Sequence, residues 1–175
     1  MREIPTGRLN KRVKAVWRLS GLIATVILGA VCFGIALGAT FILRAADPDA
    51  TGMTALLADN RALLIYAAAA ITAILFVIYV IITPPIRYAR WRFAVLEDEI
   101  DIYRGIIVRK RIIVPLIRVQ YTDTTQGPLM RAFKLASVKV YTAAGAEGID
   151  GLAVLDAEDL RDKVAVLAKQ VQEDV

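Results

Sequence analysis

Two long apolar runs, 20–43 and 62–83, interrupt a chain that is otherwise mixed in character. The first is 24 residues without an ionisable side chain except Cys32; the second is 22 uncharged residues followed by Pro84-Pro85. At ~1.5 Å rise per residue, either run crosses a hydrocarbon core of roughly 30 Å as a helix. Consecutive prolines lack donors and crowd the preceding turn, so the second helix is expected to end at them. From residue 86 the period changes to two. In 89–95, Trp91, Phe93 and Val95 alternate with Arg90, Arg92 and Ala94, which predicts a half-buried strand. Further strands are expected at 100–104, at 106–114 after a break at Gly105, and at 119–125, 137–142 and 149–154, with a short helical turn at 129–133. The pattern then becomes helical. Ala157, Leu160, Val164, Leu167 and Val171 form one apolar stripe behind an Asp156 N-cap. The expected fold is a membrane-anchored α+β protein, in which a two-helix transmembrane hairpin precedes a small antiparallel barrel or sandwich capped by a C-terminal helix.

Composition locates the anchor and orients it. Hydrophobic residues make up 57% of the 175, with a mean hydropathy of +0.55, and the excess lies in the two apolar runs. This divides the chain into a basic leader (1–18), a hairpin (19–84, with spans 20–43 and 62–83 and a connector 44–61) and a domain (85–175). Six Lys and Arg precede the first span, two lie between the spans, and Arg87, Arg90 and Arg92 follow the second. That asymmetry predicts a multi-pass protein with both termini cytoplasmic and the connector outside. The first run is too long for the apolar region of a signal peptide, roughly 7–15 residues. A net charge of +5, scattered along the chain, does not argue for nucleic acid.

Candidate chemistry is sparse. With no His, and its one Cys inside an apolar run, the chain lacks the commonest general base and metal ligand. No nucleotide, hydrolase or metal motif is present. The expectation is a protein that is not an enzyme, with no catalytic residue, cofactor or metal. Glu97-Asp98-Glu99 reads as a solvated turn, and Asp123-Thr-Thr-Gln126 as either a turn or a polar site. In the spans, Ala30, Gly34 and Gly38 recur every four residues, and Ala69 and Ala73 share that spacing. Such positions predict close helix contact, within one hairpin or between copies of the chain. Arg109-Lys110-Arg111 interrupts the expected third strand, with Arg109 and Arg111 on one face. Together with Arg87, Arg90 and Arg92 these are candidates for contact with anionic lipid; the alternative for the triplet is an edge strand charged against aggregation.

The segments Trp91-Arg-Phe-Ala-Val, Glu99-Ile-Asp-Ile-Tyr-Arg-Gly105, Pro115-Leu-Ile-Arg-Val-Gln120, Thr122-Asp-Thr-Thr-Gln-Gly-Pro128 and Leu135-Ala-Ser-Val-Lys-Val-Tyr-Thr-Ala-Ala-Gly145 together resemble the bacterial pleckstrin-homology-like (PH-like) membrane proteins of the YdbS-like family. The resemblance covers essentially the whole chain. It implies a bent antiparallel barrel with a C-terminal helix, of seven strands where the pattern gives six, at the bacterial cytoplasmic membrane. No phosphoinositide-binding signature carries over residue by residue. Two functions are expected: a scaffold that binds another membrane protein or its own copies, or a sensor of anionic lipid surfaces. Two spans without an intramembrane charge offer no ion path.

Overall fold

A computed structural model describes residues 5–46 and 61–173, so most of the connector lies outside the described residues. The chain divides into two units. One is Arg18–Ile82; the other joins the described residues up to Trp17 to those from Thr83 onward.

The first unit is built from α1 (Val13–Ala46) and α2 (Arg61–Phe76). Val13–Ala39 of α1, and the stretch Leu63–Arg90 that α2 begins, are long and apolar enough to cross a membrane. They run antiparallel. Gly21 lies against the Tyr79 carbonyl and Gly29 against Thr72, so close that a Cβ would sit 2.9 Å and 2.8 Å from those neighbours. Thr25 stands between the two glycines and donates to the Gly21 carbonyl at 2.7 Å, while Thr72 donates to that of Ala68 at 2.8 Å. Each hydroxyl is thereby satisfied within its own helix. The close contact is thus Gly21-Thr25-Gly29, and not the expected stripe. Gly34 and Gly38 meet nothing within 4 Å among the described residues. Ala30 is exposed, whereas Ala69 and Ala73 do line the groove between the helices, beside Gly29 and Thr72.

The helix does not end at the prolines. It widens into π turns over Val77–Ile82 and resumes as α3, Thr83–Arg90, with Pro84 and Pro85 in its first turn. Proline is tolerated there, where its absent donor breaks no bond within the new segment. Because α3 persists to Arg90, the first strand begins later than the alternation suggests.

Six strands follow: β1 (Arg92–Val95), β2 (Glu99–Arg104) and β3 (Lys110–Pro115) in one antiparallel sheet, and β4 (Val119–Thr125), β5 (Leu135–Thr142) and β6 (Gly145–Ala153) in a second. A short helix, α4 (Pro128–Ala132), joins β4 to β5, and α5 (Val154–Glu173) closes the chain. Inward residues of both sheets, among them Ile100, Ile102, Val114, Leu135, Val138, Val140 and Ile149, are buried. Helix α5 covers them with Ala157, Val164 and Ala168, while Leu160, Leu167 and Val171 pack partly buried at the margin. The expected stripe is therefore the face that meets the sheets, although the helix starts two residues before Asp156.

The leader is not a separate segment. Leu9, Val13 and Val16 are buried in the same core. Gly7 exchanges two backbone hydrogen bonds with Phe93 at 2.9 and 3.1 Å, and the Asn10 N–H donates to the Gly151 carbonyl at 2.9 Å. The Gly7–Phe93 bridge occupies the edge of β1 that β2 leaves free. The described residues thus hold six strands and this one-residue bridge, and not the seven strands that the resemblance implies. Gly151 has φ +75°, and a Cβ on it would overlap the Val13 side chain, so only glycine admits this approach.

Candidate functional site

The residues that converge in the second unit come from α3, the turn into β1, and the β2–β3 hairpin. Arg87 and Arg90 lie in the last turn of α3; the chain then turns inward at Trp91, which is 4% exposed. The hairpin pairs Arg104 with Lys110, which leaves 105–109 as its loop. Gly105 has φ +129°, and a Cβ there would overlap the Val108 carbonyl, so the loop closes tightly only on glycine. Continuous hydrophobicity had placed 106–108 in a strand. Instead Ile107 is 93% exposed and Val108 69%, at the tip of a loop. Arg90 fixes the base of that loop by donating to the Ile106 carbonyl.

Beneath the loop lies a basic, aromatic cluster. The Arg87 guanidinium carbon is 4.3 Å from the Trp17 ring centroid and 5.3 Å from that of Trp91. The two indoles are themselves 6.1 Å apart. Arg104 lies 5.7 Å from the Trp91 ring and pairs with Glu147 at 2.7 Å. These contacts hold cations over aromatic faces, where the ring quadrupole attracts them. A cavity of about 400 Å³ opens here, lined by Thr83, Arg87, Trp91, Arg104, Gly105, Ile106, Val108, Lys110 and Asp150. Among the described residues the buried Trp91 Nε1–H meets no hydrogen-bond partner.

The six basic residues singled out from the sequence separate into two groups. Arg87 and Lys110 line the cavity, and Arg109 is exposed in the loop above it. The other three have structural partners. Arg90 holds Ile106, and Arg92 donates to the Trp91 carbonyl at 2.7 Å. Arg111 grips the buried Asp101 with Nε 3.1 Å from both carboxylate oxygens and Nη2 2.6 Å from Oδ2. That hydrogen bonding holds the Arg111 guanidinium above its ordinary pKa. Arg109 and Arg111 do not share a strand face, because Arg109 precedes the strand. Sequence reasoning passed over Arg104, Glu147, Asp150 and the exposed pair Ile107 and Val108; the break at Gly105 was the signal that a loop begins there.

Elsewhere the carboxylates are unremarkable in chemistry. Glu97 and Asp98 are exposed on the β1–β2 turn, and Gln126 donates to the Leu135 carbonyl at 2.8 Å, as a self-satisfied turn would. Among the described residues no group of three or more His, Cys, Asp and Glu could hold a metal ion.

A sequence profile of the family described as "Bacterial PH domain" matches residues 16–168. The chain is 46% identical over 99 residues to the UPF0699 transmembrane protein YdbS of Bacillus subtilis (strain 168), covering 57% of this chain and 62% of that one. It is 31% identical over 118 residues to the UPF0699 transmembrane protein YdbT of the same organism, covering 65% of this chain and 23% of that one. The alignments thus span less than two thirds of either relative. No solved structure matches the chain.

Proposed function

Because the chain belongs to the Bacterial PH domain family and carries two helices long and apolar enough to cross a membrane, we propose that it is a non-catalytic, membrane-anchored module whose PH-like unit engages an anionic lipid surface through the β2–β3 loop. The observation that carries this reading is Ile107, 93% exposed beside the exposed Arg109 and Lys110. An apolar tip flanked by cations suits the boundary between acyl chains and anionic headgroups, where each basic residue contributes ~1 kcal/mol. The apolar helices join this unit in sequence at Trp17 and Thr83, and Thr83 lines the cavity that Ile106 and Val108 also line. The excess of basic residues before the first span and after the second supports a cytoplasmic unit. In a background lacking Cys32, a cysteine replacing the exposed Lys169 should react with an impermeant thiol reagent only after lysis. Reaction in intact cells would reverse the orientation.

The lipid reading is tested by hydrogen exchange on the full chain in nanodiscs. Amides of 105–109 should be more protected in anionic than in neutral bilayers, and Ile107→Asp should remove the difference. Equal exchange in both lipids would refute it.

A second reading, association between copies of the chain or with another membrane protein, is favoured by Gly34 and Gly38, which no described residue covers. Small residues without an internal neighbour permit close approach by another helix. Gly34→Leu with Gly38→Leu should then lower the oligomeric mass in detergent, and an unchanged mass would dismiss this reading.

A further inference from the structure

We propose that the cavity under the β2–β3 loop is a binding site for a phosphate group, with Arg87, Arg104 and Lys110 as its cationic ligands. This rests on the lipid reading above and specifies the chemistry that the surface would recognise.

Charge and shape both support it. Among the lining residues three cations face one carboxylate, Asp150, and the cavity of about 400 Å³ is of ligand size; ligand pockets run from roughly 300 to 1,000 Å³. Arg104 is already paired with Glu147, and Arg87 lies against the rings of both Trp17 and Trp91. Their guanidinium groups are therefore held in place before any ligand arrives, which lowers the ordering cost of binding. Lys110 is exposed at the rim and has no ion-pair partner among the described residues. Apolar Ile106 and Val108 complete the lining, so the site joins a phosphate-sized cluster of donors to a greasy margin. That combination fits a phospholipid headgroup, and the same donors would accept a free phosphate ion. Charge-assisted contacts from arginine to phosphate are the strong ones, and arginine presents them in fixed geometry.

The two tryptophans of the chain, Trp17 and Trp91, both contact Arg87 and so report on the cavity directly. The full chain in uncharged detergent is titrated with inorganic phosphate, with dihexanoyl phosphatidylglycerol, and with dihexanoylglycerol as a phosphate-free control. A saturable change in tryptophan emission is expected with at least one phosphate-bearing probe and not with the control. A response to inorganic phosphate as strong as that to the lipid assigns the site to a free anion; a response to the lipid alone assigns it to a headgroup. Lys110→Gln should weaken binding by about tenfold, the scale of one charged contact, and Lys110→Arg should retain it. Asp150→Asn should instead tighten binding, because it removes the carboxylate that lines the cavity beside these cations. A merely structural role for Asp150 would not produce a gain. No saturable change with either phosphate probe, an equal change with dihexanoylglycerol, or affinities indifferent to Lys110→Gln and Asp150→Asn would overturn the proposal. Loop protection in nanodiscs is read independently, so loss of the surface contact and absence of the phosphate site give different results.

Discussion

Val13→Asp is expected to unfold the PH-like unit although it lies far in sequence from every strand. Val13 is fully buried, and Leu9 and Val16 are buried with it against the β-sheet core. The Gly151 backbone approaches Val13 so closely that no Cβ fits between them. A carboxylate buried there would be stripped of water, which costs several kcal/mol even after relaxation. A small domain commonly has only ~5–15 kcal/mol in hand. Hydrogen exchange on the full chain in detergent should show amides of β2, β5 and β6 losing protection while the spans remain helical. Lys11→Gln, at an exposed position two residues earlier, should leave protection unchanged. A protected sheet in the Val13→Asp chain would mean that the N-terminal segment merely rests on the domain. The same packing implies that a fragment of 83–175 lacks three core side chains, so the full chain is the object to measure.

Val164→Asp should be comparably disruptive from the other end. Val164 is fully buried on α5, one turn from the nearly buried Ala168 and two turns from the buried Ala157. Truncation to alanine should cost about 1.5–3 kcal/mol, the range for burying a side chain of this class. The aspartate adds the penalty of a buried charge and should abolish a cooperative melt. Val166→Asp, two residues on and 56% exposed, should stay within about 0.5 kcal/mol of the parent. If α5 were a docking face lying loosely on the sheets, both variants would melt like the parent.

The elements legible in the sequence were those with strong periodicity and a single burial face. The two spans, β2, β4 and the α5 stripe follow from apolar spacing alone. What escaped involved contacts between distant segments or backbone geometry. The core role of Leu9, Val13 and Val16 was hidden because basic neighbours dominate that stretch, and a spacing of three or four residues over so short a run looks like a leader. Ile106-Ile107-Val108 has strand composition, but the positive φ of Gly105 turns the chain before they can pair. Pro84-Pro85 looked like a stop because the π turns that precede it leave no signature in composition. The close contact within the hairpin lies nine residues, about two and a half turns, before the Ala30-Gly34-Gly38 repeat, since Gly21 and Gly29 flank a threonine and do not form a GxxxG. In the candidate site, Arg87 and Lys110 were found through their charge. Arg104, Glu147 and Asp150 were not, because only strand pairing and the close approach of β6 bring them together.

A depth measurement at Ile107 decides whether the β2–β3 loop rests in an anionic bilayer surface. A bimane on Ile107→Cys, in a chain lacking Cys32, is reconstituted in bilayers that carry a nitroxide near the glycerol backbone. The lipid nitroxide should quench the bimane strongly in anionic bilayers and more weakly in neutral ones, with iodide in the water quenching little. A probe at Lys169, exposed on α5, should show the opposite preference. If the Ile107 probe were quenched by iodide as readily as the Lys169 probe and ignored the lipid nitroxide, the loop would stand in water and the account would be wrong.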